Sequence, residues 1–319
     1  MELLSVQVRE RAVPPPTEAS GPPRVVRIVP QSSPATPGDS AEPAPLPAGR
    51  RPRDKVIGHR SFPGAMRRPL EGRVALVTGS TGQGMGRSIA LTLAREGADI
   101  VLNFGTNRTT READHRRLIK AIEDLGARAV VVRADTADGG EVRAMFALAK
   151  RALGPVDILV NNAGGQWDPS NQDLATIKDE FWQEVLRAEI DGMFHTIKAA
   201  LPSMRRKRWG RIVNLGMERS EEFMEPPYDY TVGKIARHGL TRILSEVEIR
   251  HGITLNAVAP GYIPYFTFRQ AIEAVRRRGP WAQRKYGTPQ DVAEVVAFLC
   301  SDAARNVNGA IIPVHGAPY

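Results

Sequence analysis

The stretch Val74-Ala75-Leu76-Val77-Thr78-Gly79-Ser80-Thr81-Gly82-Gln83-Gly84-Met85-Gly86 decides the fold. Its first four residues are an apolar run of strand length, and the run ends in a glycine-rich turn. From Gly84 to Gly97 the spacing predicts a helix, with Ile89, Leu93 and Ala94 on one face. A strand, a glycine turn and a helix in that order suit a pyrophosphate. The glycines let the backbone approach it closely, and N–H groups at the helix start face its charge. The competing reading is a tight turn that needs glycines for packing alone.

The same alternation continues outward. Strands are predicted at 98–104, 129–132, 158–160, 211–215, 253–259 and 310–314. Helices are predicted at 109–125, 139–153, 178–207, 228–250 and 289–301, with one more helical piece, 268–277, inside the irregular stretch 260–288. Gly126 and Gly154-Pro155 are stop signals. Short strands separated by helices imply βαβ units, hence a parallel sheet. Right-handed crossovers make it α/β and doubly wound, a Rossmann-type seven-stranded parallel sheet with helices on both faces. Ligands then bind beyond the carboxyl ends of the strands.

Further motifs fall at those ends: Asn161-Asn162-Ala163-Gly164, Tyr230-Thr231-Val232-Gly233-Lys234, Asp135, Gly210-Arg211-Ile212-Val213-Asn214, Pro260-Gly261-Tyr262-Ile263 and Gly287-Thr288-Pro289-Gln290-Asp291-Val292-Ala293. In their order and spacing, residues 70–316 resemble the short-chain dehydrogenase/reductase family. One departure is visible, since four residues separate Gly79 from Gly84 where the family usually has three. The resemblance implies a bound nicotinamide dinucleotide. Gly79, Ser80, Gly84, Met85 and Gly86 would hold its pyrophosphate side, and Asp135 and Thr136 would flank the adenine. Asn162, Ala163 and Gly164 would line the ribose and nicotinamide, with Pro260, Gly261 and Ile263 at the carboxamide. It also implies a homo-oligomer, a dimer or tetramer, with helices 178–207 and 228–250 in the interfaces.

The coenzyme type has its own argument. NAD-specific sites place a carboxylate after the second strand to hold a ribose hydroxyl. Here that region reads Leu102-Asn103-Phe104-Gly105-Thr106-Asn107-Arg108, without an acid. Arg108 suits a 2′-phosphate, and Ser80 and Asn103 are candidate hydrogen-bonding groups beside it. NADP(H) is therefore favoured over NAD(H). Taken alone, Arg108 reads equally well as a solvated loop charge.

The resemblance assigns Tyr230 as the general acid or base. Lys234 lies one helical turn on, where its charge favours the phenolate and its ammonium holds the nicotinamide ribose. The family's serine, thirteen residues before the tyrosine, is Met217 here, and a thioether donates no hydrogen bond. The family's asparagine in the long helix falls at Glu189. Three readings stay open. Another group, Ser220 or Glu218, holds the substrate carbonyl; the reduced bond is an activated alkene; or the chain binds cofactor and does little chemistry. Tyr262, Tyr265, Phe266 and Phe268 crowd the lid segment and suggest an apolar or ring-containing substrate, against a plain packing role.

Composition sets the outer limits. The 319 residues carry a net charge of +9, but residues 1–70 hold eleven Lys and Arg against six Asp and Glu, and 14 of the 25 prolines. Residues 1–69 read as a disordered Pro/Arg-rich extension preceding one domain, 70–319. The extension is either without function or an anionic-surface tail using Arg50-Arg51-Pro52-Arg53. Its start lacks the uninterrupted apolar core of a secretory signal. Cys300 is the single cysteine, so no intrachain disulfide forms, and a cytoplasmic location is expected. No apolar run is long enough to span a membrane. The six histidines lack metal-ligand spacing, so no metal is expected, and Arg205-Arg206-Lys207-Arg208 reads as solvated helix-end charge rather than a nucleic-acid patch.

Overall fold

A computed structural model of the chain describes residues 25–26, 68–105, 112–222, 226–277 and 286–315. The elements in chain order are β1 (Val25–Val26), β2 (Val74–Val77), α1 (Met85–Arg95), β3 (Asp99–Phe104), α2 (Glu112–Glu123) and β4 (Ala129–Arg133). They continue with α3 (Gly139–Ala152), β5 (Ile158–Asn161), α4 (Asp179–Leu186), α5 (Gly192–Lys207), β6 (Gly210–Leu215) and α6 (Tyr228–Glu248). The last are β7 (Ile253–Pro260), α7 (Phe268–Arg276), α8 (Pro289–Cys300) and β8 (Ile311–Val314).

Seven parallel strands lie in the order β4-β3-β2-β5-β6-β7-β8, as the alternation predicts. The chain winds from β2 outward to β4, then returns to β5 on the other side of β2, so the switch point lies between β2 and β5. The inner strands are buried on both faces because helices cover both. On one face Ile89, Leu93, Leu118, Val292 and Val296 from α1, α2 and α8 form the core. On the other, Val142, Met145, Met193, Ile197 and Ala200 from α3 and α5 do so.

Two expectations change. The sheet has an eighth member, since β1 pairs antiparallel with β4 at its edge. The helix expected over 178–207 is interrupted by a π-helical turn, Arg187–Asp191, between α4 and α5. Ordered packing also begins just inside the extension: Arg68 donates to the carbonyl oxygens of Leu125 at 2.7 Å and Gly126 at 3.1 Å. Apart from Val25, Val26, Arg68 and Pro69, the expected tail lies outside the described residues. Among the described residues no helix is long and apolar enough to cross a membrane.

Helix ends follow local chemistry. Thr288 and Asp291 form a reciprocal capping box at α8, with Pro289 at the first helical position. Asp138 caps α3, and the N–H groups of Glu141 and Gly140 hold its carboxyl below the usual carboxylate range. The basic cluster at the end of α5 stays exposed, as expected for helix-end charge, and three of its members still make contacts. Arg205 pairs with Glu248, Lys207 with Asp157, and Arg208 turns the chain at φ 50° and donates to the Arg250 carbonyl at 2.8 Å.

Burial holds the imidazoles of His238 and His115 below the ordinary histidine range, although Glu221 and Asp114 pull the other way. The folded state therefore refuses a proton that the unfolded chain takes up below about pH 6.5. Stability from this source is complete above that pH and is lost on acidification. Thermal denaturation between pH 7.5 and pH 5.5 is expected to show a falling Tm, with a loss of at most about 1.4 kcal/mol per pH unit for each such histidine. A profile that stays flat or rises would contradict the assignment.

Candidate active site

A cleft of about 1390 Å³ opens at the carboxyl ends of the strands, across the switch point. That exceeds the roughly 300–1,000 Å³ of a common small-ligand site, leaving room for an extended molecule with a second one at its end. Its walls come from the residues after β2, β3, β4, β5, β6 and β7.

The glycine turn builds one wall. Gly79, Gly84 and Met85 line the cleft. Gly86 lies beneath it, and a Cβ there would stand 2.6 Å from the Asn162 amide nitrogen and 2.7 Å from the Gly79 carbonyl oxygen. No side chain caps the start of α1, where Gly84 is the N-cap, and no acid lies in its first turn. The N–H groups there are left for a ligand, and their partial positive charge suits a phosphate. The cradle thus fits a dinucleotide. Asn162 braces it from the next strand, donating from its amide to the carbonyls of Thr78 at 2.8 Å and Gly79 at 3.1 Å. Ala163, Gly164, Asp135 and Thr136 continue the wall, and Pro260, Gly261 and Ile263 form it at the far end. The Asp135 carboxylate accepts from the Ala137 N–H at 2.9 Å and lies 3.4 Å from Arg187.

Of the three groups expected at a 2′-phosphate, two are described. The Ser80 hydroxyl is buried and accepts from the Asn103 N–H at 3.1 Å, away from the cleft. The Asn103 side chain lines the cleft but is spent on the backbone, accepting from the Gly79 N–H at 3.2 Å and donating to the Ala134 carbonyl at 3.0 Å. Both side chains tie the turn to the sheet. Arg108 lies outside the described residues. The expected coenzyme preference rests on the missing carboxylate after β3 and on Arg108, whose position is not described.

The pair expected to carry the chemistry lies together. Tyr230 and Lys234 both line the cleft from the first turns of α6, and the Lys234 ammonium lies 4.8 Å from the Tyr230 ring centroid. Glu189 meets them from the π-helical turn. It is fully buried, with Oε1 3.0 Å from Lys234 Nζ and Oε2 2.6 Å from Arg237 Nε. A Cβ on Gly164 would stand 2.4 Å from Glu189 Oε1, so only glycine leaves room for this carboxylate. The extra residue of the π turn gives the long helix its local widening at that point.

Arg237 was not singled out from the sequence. Fully buried, it donates to the carbonyls of Asn161 at 2.9 Å and Leu215 at 3.3 Å, and also to those of Ala163 and Glu189. It therefore ties the ends of β5 and β6 to the π turn. A polar ladder runs alongside: Thr196 donates to Asn161 at 2.7 Å, Asn161 to Asn214 at 2.8 Å, and Asn214 to Thr241 at 2.8 Å. A signal did exist. Tyr230, Lys234, Arg237 and Thr241 recur at helical spacing on one face, so Arg237 had to be buried with the pair.

At the substrate end, Met217 and Glu218 line the cleft. Ser220 does not serve as a replacement donor, because its hydroxyl is buried and donates to the Met217 carbonyl at 3.1 Å. The aromatic segment divides. Phe266 and Phe268 pack on the core, while Tyr262 and Tyr265 line the cleft and are 66% and 71% exposed. Tyr265 reaches back over the glycine turn, its ring 3.6 Å from a Cβ placed on Gly84.

Comparison with known proteins agrees with this geometry. Residues 79–316 match the family described as Enoyl-(Acyl carrier protein) reductase. The chain is 34% identical over 248 residues to the 3-oxoacyl-(acyl-carrier-protein) reductase FabG of Staphylococcus aureus, covering 77% of this chain and 97% of that one. It is 35% identical over 258 residues to a short-chain type dehydrogenase/reductase of Picea abies, covering 77% and 92%. A crystal structure from Agrobacterium tumefaciens, described as a candidate gluconate dehydrogenase, superposes with a TM-score of 0.66 at 30% identity, over 79% of this chain and 98% of that one.

Proposed function

Because the chain belongs to the short-chain dehydrogenase/reductase family of oxidoreductases, we propose that it transfers hydride between NADP(H) and a carbonyl or hydroxyl of a small ring-containing or apolar molecule. The observation that carries this reading is the Tyr230–Lys234 pair facing the same cleft as the glycine cradle. NADP(H), when bound, supplies or accepts the hydride. The Tyr230 hydroxyl gives its proton to the developing alkoxide, or takes it back in oxidation. The Lys234 ammonium stands beside the tyrosine, 4.8 Å from its ring centroid. Glu189 holds that ammonium in place, and Arg237 balances the second oxygen of the carboxylate. Where relatives place an amide, this chain thus uses a charged triad, and each charge has a partner.

Preference for NADP(H) is supported by the absence of an acid after β3. A homo-oligomer, dimer or tetramer, is supported by Phe194 on α5 and Ile243 and Val247 on α6, large apolar side chains left exposed. A cytoplasmic site fits the single buried cysteine, whose thiol is pushed up to about 12 by burial. Met217 favours a second reading, a cofactor-binding protein with little turnover, since its thioether donates no hydrogen bond where the resemblance expects a serine hydroxyl.

The two readings separate in Met217→Ser. If the site lacks only its donor, the variant gains roughly 10²–10³-fold in ketone-dependent NADPH oxidation, the worth of one oxyanion donor. An unchanged rate would mean that the wild-type enzyme holds its substrate by another group. No turnover in either form, with NADPH bound, would favour the non-catalytic reading.

A further inference from the structure

Glu218 stands at the substrate end of the cleft with an unusual environment. Its side chain is only 9% exposed, yet it lines the cavity. Its N–H donates to the Pro260 carbonyl at 3.1 Å, which pins the turn after β6 to the end of β7. The carboxylate is pressed on the backbone there, since a Cβ on Gly261 would stand 2.4 Å from Oε2. Among the described residues, the one cation within 4 Å is His315, whose Nε2 is 3.3 Å from Oε1, and that group is charged only when protonated. The other cations of the wall are committed. Lys234 is held by Glu189, and the Arg219 guanidinium lies 3.4 Å from Glu222.

A carboxylate has about four acceptor positions, and one withdrawn from water needs donors for them. His315 stands near one oxygen, its Nε2 3.3 Å from Oε1. The carboxylate lies at a cavity where the adjacent side chain, that of Met217, donates nothing. A substrate that brings its own donor completes this wall. A ketone that offers only acceptors leaves the carboxylate desolvated and unpaired, and such sites reject the molecule lacking the donor.

We infer that Glu218 selects substrates carrying a hydroxyl on the carbon next to the reacting one: α-hydroxy ketones, or vicinal diols in the oxidative direction. This rests on the proposed oxidoreductase reading. The neighbouring hydroxyl donates to Glu218 while the carbonyl oxygen faces Tyr230. The substrate is then oriented without the hydroxyl that Met217 lacks. The ring or chain beyond the diol lies against Tyr262 and Tyr265.

The test is calorimetric titration of the NADP⁺-loaded full-length protein, and of the same protein without cofactor, with 2-hydroxycyclohexanone and with cyclohexanone. Wild type is expected to bind the hydroxylated ring at least about tenfold more tightly, the worth of a hydrogen bond to a charged group. Glu218→Leu is expected to bring the two affinities within about twofold of each other while binding NADPH as the wild type does. Glu218→Gln, which keeps an acceptor, retains part of the preference. Equal binding of the two rings by wild type in both states overturns the inference, as does a preference that survives in Glu218→Leu. Failure of the oxidoreductase reading is seen separately, as the absence of NADPH binding. In that case a hydroxyl preference in the cofactor-free protein that disappears in Glu218→Leu still supports the role of Glu218, and its absence overturns it.

Discussion

Arg237→Met is expected to lower the unfolding free energy by about 3–5 kcal/mol, the usual result of removing one partner of a buried ion pair. The Tm should fall by roughly 10 °C for a domain of this size. The reason lies in what the guanidinium satisfies: the Glu189 carboxylate and backbone carbonyls from three separate segments, all away from water. Methionine fills similar volume but takes the guanidinium donors from these carbonyls and leaves the Glu189 carboxylate with Lys234 and the Gly165 N–H alone. The double variant Arg237→Met/Glu189→Leu also strips the buried Lys234 ammonium of its carboxylate and should be less stable than the single variant. Thermal and urea denaturation of the three proteins decide the matter. A single-variant loss under about 1 kcal/mol would mean that water reaches this network and that its charges are not coupled.

Tyr230→Phe is expected to reduce single-turnover hydride transfer by roughly 10²–10⁴-fold, the contribution of a positioned general acid. The ring stays, so its packing against the Lys234 stem is retained and cofactor affinity should change little. Lys234→Met should weaken both the rate and cofactor binding, and it also strands Glu189, which has a second cation but loses its partner at 3.0 Å. A Tyr230→Phe rate equal to wild type would remove the tyrosine from the chemistry.

Much of this was legible in the sequence because the signals are local. The run Val74–Val77 followed by glycines specifies its own strand and turn, and Thr288-Pro289 announces the start of α8. The spacing of Tyr230 and Lys234 fixes a shared helix face without any tertiary knowledge. Ser80 and Asn103 misled because residue type does not report direction. Each has chemistry suited to a phosphate, yet backbone groups claim it: the β3 N–H of Asn103 takes the Ser80 hydroxyl, and the turn and the residue after β4 take the Asn103 amide. Ser220 failed as a donor for the same reason, its hydroxyl being taken by the carbonyl three residues back.

Other features needed the fold. Glu189 reads in the sequence as a departure from an amide, and its meaning depends on Arg237, which is 48 residues away in the chain and touches it only across α6 and the π turn. The pairing of Glu218 with His315 joins the ends of β6 and β8, two segments whose adjacency follows from the sheet order through β7. Periodicity cannot place a π turn, since an inserted residue leaves the apolar pattern on both sides intact.

Titration of the full-length protein with NADPH, with NADH as the comparison, tests the assignment most directly. The cradle at Gly79–Gly86 and the wall at Asn162–Gly164 predict saturable binding of one NADPH per chain in the micromolar range, with NADH at least about tenfold weaker for want of a carboxylate to hold its ribose. Failure of both nucleotides to bind below roughly millimolar concentration would contradict the dinucleotide site, and with it the chemistry built on Tyr230 and Lys234.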